Sequence, residues 1–69
     1  MTRLRAGVIG AGAMGAHHAR AYATLAESDL VGVYDPDSER ARSVAERFDA
    51  AAFDDLDALL QRVDVVSIA

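Results

Sequence analysis

The chain has 69 residues and a formal net charge of -4, because seven Lys and Arg stand against eleven Asp and Glu. This acidic balance disfavours a nucleic-acid surface, which needs a basic stripe to neutralise phosphates. The absence of cysteine excludes a disulfide framework, a thiolate zinc site and a cysteine nucleophile.

The amino-terminal stretch loosely imitates a secretory signal. Arg3 and Arg5 precede a small, apolar run over residues 6–16. That run contains four glycines and leads directly into a helix-forming stretch with charged residues, which favours a folded segment over a signal peptide. No apolar stretch approaches the ~20 residues that a membrane helix requires. We therefore expect a cytoplasmic protein without a membrane or nucleic-acid partner.

The first half of the chain predicts strand, helix and strand. The short apolar segment Leu4–Ile9 is followed by glycine, which is typical of a buried parallel strand. Residues 13–26 are alanine-rich and predict a helix, and residues 30–35 predict a second strand that Pro36 stops. The predicted apolar stripe of the helix consists of Met14, His18, Ala21 and Leu25.

The second half repeats this alternation. Asp37 or Ser38 can cap a second helix. Its apolar face is predicted to contain Ala41, Val44, Ala45 and Phe48. Its solvated face is predicted to contain Arg40, Arg42, Glu46 and Arg47.

The last segments predict two more strands around a short helix. Ala51–Phe53 can form a brief third strand, and Asp54 or Asp55 can cap a short helix after it. That helix contains Leu56, Leu59 and Leu60. Residues 63–69 predict a fourth strand.

Together these elements predict an α/β chain, a partial Rossmann fold of the form β-α-β-α-β-α-β. Right-handed crossovers give a parallel sheet with strand order 3-2-1-4 and a crevice at the carboxyl ends of strands one and four. The fourth strand would be a bare hydrophobic edge, and only the short helix would cover one face of the sheet. We therefore expect residues 1–69 to be the truncated N-terminal part of a dinucleotide-binding domain, with the rest of that domain and a substrate domain absent.

The glycine motif from Gly10 to Gly15 has the spacing GxGxxG, directly after a predicted strand and at the start of a predicted helix. Gly10 would permit the tight turn, Gly12 would let the backbone approach a pyrophosphate, and Gly15 would let the helix pack close to the strand. The helix that begins near Ala13 would offer backbone N–H groups and its positive dipole end to the phosphates.

Asp35 follows Gly15 by twenty residues, where this fingerprint expects an acid that binds the adenosine ribose. Its carboxylate would repel a 2′-phosphate, and Pro36 brings no positive charge, so the sequence favours NAD over NADP. The alternative is a purely structural glycine turn in which Asp35 only caps a helix. Arg40 could approach the adenine end or a phosphate, but the sequence favours a solvated helix position, since exposed arginine is the default.

The remaining polar residues predict no catalytic or metal site. His17 and His18 are adjacent in a helix and do not share a face, so they are not a paired metal site. No neighbouring group completes a catalytic arrangement around either histidine. Core packing accounts for Tyr22 and Tyr34. Capping accounts for most of the carboxylates near the third strand, namely Asp49, Asp54, Asp55 and Asp57.

The chain resembles the amino-terminal half-domain of the glucose–fructose oxidoreductase and inositol dehydrogenase family (Gfo/Idh/MocA). The stretches that carry the resemblance are residues 7–15, 18–21, 31–36 and 64–69. The glycine turn is shared with many dehydrogenases, so the resemblance depends on its combination with His18 and the last strand.

This resemblance implies a two-domain, NAD-dependent oxidoreductase that acts on the CH–OH group of a sugar, an inositol or a related alcohol. Its catalytic lysine would belong to a Glu-Lys-Pro motif after the next strand, so no catalytic residue is expected here. The small-molecule substrate would bind through the missing domain, and we expect a homo-oligomer. The residues that would hold the cofactor are Gly10, Gly12, Ala13, Met14, Gly15 and Asp35, with Ala69 opening the loop beside it.

Two rival hypotheses use the same glycine turn. One is a dehydrogenase of the hydroxyisobutyrate type, although that type prefers arginine where Asp35 stands. The other is a non-catalytic NAD-sensing module that regulates a channel or a repressor.

Overall fold

The computed structural model describes residues 3–69, which form one parallel sheet with helices on its two faces. The strands are β1 (Leu4–Ile9), β2 (Ser28–Tyr34), β3 (Ala51–Phe53) and β4 (Val65–Ile68). The helices are α1 (Ala13–Thr24), α2 (Ser38–Arg47) and α3 (Leu56–Leu60). The strand order is β3-β2-β1-β4, with every pair parallel. The predicted partial Rossmann fold and its order 3-2-1-4 are therefore confirmed.

The boundary between α1 and β2 differs from the prediction. The helix ends at Thr24 rather than at residue 26, because Leu25 already has an extended backbone. β2 begins at Ser28 rather than at Leu30, since Ser28 pairs with Leu4 in the parallel ladder. The buried Ser28 hydroxyl also donates a 2.7 Å hydrogen bond to the carbonyl oxygen of Tyr22, which closes the short connection.

The edge strand β4 is shorter than the predicted strand over residues 63–69. Its ladder with β1 starts where Val65 faces Ala6. Just before it, the Asp64 carboxylate accepts a 2.9 Å hydrogen bond from the Arg5 N–H and forms an ion pair with the Arg5 guanidinium at 3.1 Å. These bonds hold the start of β4 against the start of β1.

The main core lies between the sheet and the helices α1 and α2. Val8 of β1 and Val33 of β2 are fully buried there. α2 contributes Ala41, Val44 and Ala45 to the same core, with Phe48 packed at its edge, so its predicted apolar face is confirmed. Asp37 caps α2 by accepting hydrogen bonds from the N–H groups of residues 39 and 40.

The predicted apolar stripe of α1 is wrong. Within residues 3–69, Met14 and Leu25 are 62% and 51% exposed, Ala21 is exposed, and His18 is only partly buried. The buried face instead contains Gly15 and Ala19, with Ala16 and Tyr22 packed beside them. Gly15 belongs to this face because α1 approaches the backbone at the carboxyl end of β1, where a Cβ on Gly15 would overlap the Gly10 carbonyl oxygen.

The opposite face of the sheet is covered by α3, which Asp55 caps. Leu59 is fully buried, and its Cδ1 lies only 3.0 Å from where a Cβ on Gly7 would be. The missing side chain at Gly7 therefore makes room for Leu59. Of the other two leucines, Leu56 is partly buried and Leu60 is 43% exposed.

We expect Leu59→Ala to lower the free energy of unfolding of the full-length protein by about 2–5 kcal/mol, because it leaves a cavity against the sheet. Leu60→Ala is the matched control and should cost clearly less. Denaturant unfolding of both variants measures the difference. Equal losses would contradict the packing described for α3.

Candidate functional site

The turn between β1 and α1 starts with a residue that must be glycine. Gly10 has a φ of 103°, in the left-handed region that side chains disfavour. Its N–H donates a 2.8 Å hydrogen bond to the Tyr34 carbonyl oxygen at the end of β2. A Cβ on Gly10 would lie 2.9 Å from the Ala69 carbonyl oxygen. The predicted role of Gly10 as the tight-turn residue is consistent with this geometry.

The other two glycines of the motif have opposite surroundings. A Cβ on Gly15 would overlap the carbonyl oxygen of Gly10, so α1 approaches the turn as closely as the sequence predicts. At Gly12, no heavy atom lies within 4 Å of the Cβ position. Gly12 is also the N-cap of α1, where the N–H groups of the first turn have no partner within the helix. The space over Gly12 is therefore open and faces backbone donors.

Asp35 connects this turn to the start of α2. One carboxylate oxygen accepts a 2.8 Å hydrogen bond from the Ala11 N–H, and the other accepts a 2.8 Å bond from the Asp37 N–H. These two bonds lower the pKa of Asp35 from its ordinary value of 3.8, and the positive charge of Arg40 lowers it further. The helix-capping role that the alternative gives to Asp35 is wrong, because Asp37 is the N-cap of α2.

The end of β4 lies beside the same turn. The Ala69 N–H donates a 2.9 Å hydrogen bond to the carbonyl oxygen of Ile9, which places Ala69 next to Gly10. Met14 lies in the first turn of α1 with 62% of its surface exposed. The residues that the sequence predicts for the site therefore share the carboxyl edge of the sheet: Gly10, Gly12, Ala13, Met14, Gly15, Asp35 and Ala69.

A cleft lies between α1 and α2 and opens next to the glycine turn, and we call it the α1–α2 cleft. It has a volume of about 280 Å³. Its residues are Ala11, Gly12, Ala13, Ala16, Arg40, Ser43, Val44 and Arg47. The sequence predicts a solvated face for Arg40 and Arg47 and leaves open an approach of Arg40 to the adenine end or a phosphate. It contains no signal that brings Arg47 to the same cleft.

A second contact that the sequence did not reveal joins α1 to β4. The Tyr22 hydroxyl and the Ser67 hydroxyl are 2.7 Å apart and form a partly buried hydrogen bond. The two residues are 45 positions apart in the chain, so no spacing signal could predict the pair. This bond fixes α1 across β1 onto the edge strand.

The histidines take no part in these contacts at the sheet edge. His17 is exposed and His18 partly buried on α1. Within residues 3–69, no three His, Asp or Glu side chains come close enough together to hold a metal ion. Over the same residues, no helix has the length and apolar character needed to cross a membrane.

Comparison with known proteins agrees with the geometry of the turn. Residues 4–69 match the family model GFO_IDH_MocA, described as an oxidoreductase family with an NAD-binding Rossmann fold. The chain belongs to this family. It is thus an NAD-binding Rossmann segment of an oxidoreductase family, as the resemblance implied, and the comparisons give no support to the two rival hypotheses.

Three relatives illustrate the likeness. UDP-N-acetylglucosamine 3-dehydrogenase of Acidithiobacillus ferrooxidans is 48% identical over 68 residues, and its solved structure superposes with a TM-score of 0.92. Inositol 2-dehydrogenase of Acidothermus cellulolyticus is 43% identical over 67 residues, which is 94% of this chain. Myo-inositol dehydrogenase of Lactobacillus casei, solved with NAD(H) and myo-inositol, is 33% identical with a TM-score of 0.87 over 99% of this chain.

The chain covers only a small part of each relative. It matches 21% of the first, 20% of the second and 22% of the third. In each comparison, the part of this chain that is matched includes the glycine turn.

Gly15→Ala should destabilise the full-length protein, because the added Cβ overlaps the Gly10 carbonyl oxygen and forces α1 away from the turn. Gly12→Ala is the matched control, since the same added atom meets open space. We expect a loss of about 1–3 kcal/mol for Gly15→Ala, typical of overpacking, and a clearly smaller loss for Gly12→Ala. Thermal and denaturant unfolding would show both effects, and a greater loss at Gly12 would contradict the assigned roles.

The lowered pKa of Asp35 predicts a pH dependence. Its folded-state pKa lies below its unfolded-state value, so its stabilising bonds are fully present above the ordinary value of 3.8 and are lost as the pH falls through the folded-state pKa. The difference in unfolding free energy between the full-length protein and its Asp35→Asn variant should therefore shrink as the pH is lowered below 3.8. A difference that is constant over this range would show that the carboxylate charge of Asp35 does not contribute to the unfolding free energy.

Proposed function

We propose that the carboxyl edge of this sheet binds NAD(H) with its pyrophosphate over Gly12 and its adenosine ribose at Asp35. The observation that carries the proposal is the open, donor-facing space at Gly12, directly beside a carboxylate that the fold holds in place. The N–H groups of the first turn of α1 and the positive end of the helix dipole attract phosphate oxygens there.

Asp35 is suited to bind ribose hydroxyls. Each of its carboxylate oxygens receives one backbone hydrogen bond, and a carboxylate has about four acceptor positions in total. The remaining positions can accept two hydroxyl groups of the ribose. Its negative charge opposes a phosphate on the 2′ oxygen, so NAD(H) binds more tightly than NADP(H).

The other residues that are predicted to contact the cofactor lie around the glycine turn. Ala13 begins α1, Gly15 keeps the helix close to the turn, and Gly10 sets the direction of the backbone. Met14 offers an exposed apolar surface on the first turn of the helix. Ala69 lies against Gly10 on the β4 side, where the loop after the strand would contact the cofactor.

We further propose that residues 1–69 are the N-terminal part of a dinucleotide-binding domain in a protein of the relatives' length, with a substrate domain outside this sequence. The chain matches about a fifth of each of the three relatives, all of which are named as dehydrogenases of an inositol or of a nucleotide sugar. The full protein would oxidise a CH–OH group of a sugar, an inositol or a related alcohol. The bound cofactor would supply the hydride acceptor, and this segment binds and orients it.

Catalytic acid–base groups are expected in the rest of the protein. This segment is expected to position the cofactor, and the small-molecule substrate is expected to contact the other domain. A cytoplasmic location and a homo-oligomeric assembly stay predictions.

The direct test is titration of the full-length protein with NADH and NADPH. We expect tighter binding of NADH, and Asp35→Asn should weaken NADH binding by about tenfold or more, as expected for a hydrogen bond to a charged group worth about 1.5–3 kcal/mol. Asp49→Asn, at an exposed position between α2 and the amino end of β3 and therefore at the opposite edge of the sheet, is the control with the same change of charge. Unfolding midpoints of both variants, measured alongside, separate lost binding from lost folding.

Two results would overturn the proposal. Unchanged NADH affinity in a folded Asp35→Asn protein would show that the ribose does not bind at Asp35. Tighter binding of NADPH than of NADH by the unmodified protein would reverse the cofactor preference.

A further inference from the structure

The hydroxyl group of Tyr22 connects α1 to the edge strand β4. Ser67 pairs with Val8 in the parallel ladder between β4 and β1. Paired residues of neighbouring strands point to the same face of the sheet, and Val8 is buried in the core between the sheet and α1. Ser67 therefore faces α1, where a partly buried hydroxyl needs a hydrogen-bond partner. The Tyr22 hydroxyl, 2.7 Å away, is that partner.

Tyr22 is itself held in place by a second hydrogen bond. Its carbonyl oxygen accepts a 2.7 Å bond from the hydroxyl of Ser28 at the start of β2. Tyr22 is thus joined to β2 through its backbone and to β4 through its side chain. Those two strands lead to Asp35 and to Ala69, on the two sides of the glycine turn.

The bonded serine lies two residues before Ala69. After Ser67, the strand pairs once more with Ile9, whose carbonyl oxygen accepts a 2.9 Å hydrogen bond from the Ala69 N–H. Within residues 3–69, β4 has one neighbouring strand, β1. The bond from Tyr22 is therefore an attachment to a helix for a strand that has a single partner in the sheet, and it acts close to the point where that strand meets the turn.

The other end of α1 is fixed by the glycine turn. A Cβ on Gly15 would overlap the Gly10 carbonyl oxygen, so the first turn of the helix has a set position relative to β1. The bond from Tyr22 to Ser67 carries that position over to the edge strand. The gap between the first turn of α1 and the end of β4 therefore depends on this bond.

The second half of a dinucleotide would lie over that gap. In the proposed function, the adenosine ribose binds at Asp35 after β2 and the pyrophosphate lies over Gly12. The strand order places β4 on the opposite side of β1 from β2. A dinucleotide that continues across the turn therefore extends over the end of β4, because such cofactors lie across the crevice at this point of the sheet.

We propose that Tyr22 is a positioning residue for the nicotinamide half of NAD(H). Its hydrogen bond to Ser67 holds the end of β4, and with it Ala69, at the distance from α1 that the cofactor requires. This inference rests on the proposed function, because it needs the dinucleotide to cross the turn. A bond that served only stability would change the unfolding midpoint and leave the relative affinities for NADH and its adenosine half unchanged.

The test compares NADH with ADP, which has the adenosine and the pyrophosphate but no nicotinamide half. Both are measured on the full-length protein, NADH by calorimetric titration and ADP by its displacement of NADH. Tyr22→Phe and Ser67→Ala should each weaken NADH binding by about three- to tenfold, the range of one ordinary hydrogen bond. The affinity for ADP should change by less than about twofold, because ADP does not extend over β4.

A double substitution shows whether the two hydroxyls act through their mutual bond. The Tyr22→Phe/Ser67→Ala variant should bind NADH about as weakly as the weaker of the two single variants, since either change removes the bond completely. Thr24→Val is the matched control, because it removes a hydroxyl from the same end of α1 that bonds to carbonyl oxygens within the helix. It should leave the ratio of NADH to ADP affinity unchanged. All titrations are made well below the unfolding midpoints of the variants.

Several results would overturn the inference and leave the proposed function standing. They are an unchanged NADH affinity in either folded single variant, an equal weakening of NADH and ADP, a response to Thr24→Val as large as that to Tyr22→Phe, and additive losses in the double variant. Failure of the unmodified protein to bind NADH would instead overturn the proposed function.

Discussion

The hydrogen bonds of one carboxylate, Asp35, connect the three pieces of backbone that form the site. Asp35 follows β2, receives the Ala11 N–H of the glycine turn and receives the Asp37 N–H just before α2. The end of β2 is joined to the turn a second time, because the Gly10 N–H donates to Tyr34. The position of the turn relative to β2 is therefore set by the protein itself. A ligand that binds both the turn and Asp35 meets a site whose parts are already in place.

This constraint explains why the three glycines are not interchangeable. The left-handed backbone of Gly10 lets the turn reach Tyr34, and the missing side chain of Gly15 lets α1 lie against that turn. Only Gly12 has free space around it, on the side where α1 offers its N–H groups. Two of the glycines thus serve packing and geometry, and the third leaves room for a ligand.

Much of this arrangement could be predicted from the sequence, because its signals are local. The alternation of strands and helices predicts the sheet order. In α2, the contrast between charged residues and small apolar residues predicts the buried face. α1 offers no such contrast among its alanines, so the apolar stripe that its sequence predicts, which includes Met14 and Leu25, is wrong. The bond from Ala11 to Asp35 spans 24 residues and that from Tyr22 to Ser67 spans 45. Such pairs, and the cleft between Arg40 and the turn, depend on tertiary packing that no spacing in the sequence encodes.

We propose that Asp35 holds the turn and the ribose at the same time. A crystal structure of the full-length protein with NADH tests this most directly. We expect both ribose hydroxyls at about 3 Å from the Asp35 carboxylate, with the bonds from Ala11 and Asp37 retained and the pyrophosphate over Gly12. A ribose bound elsewhere, or an Asp35 side chain that leaves Ala11 to reach it, would contradict this role of Asp35.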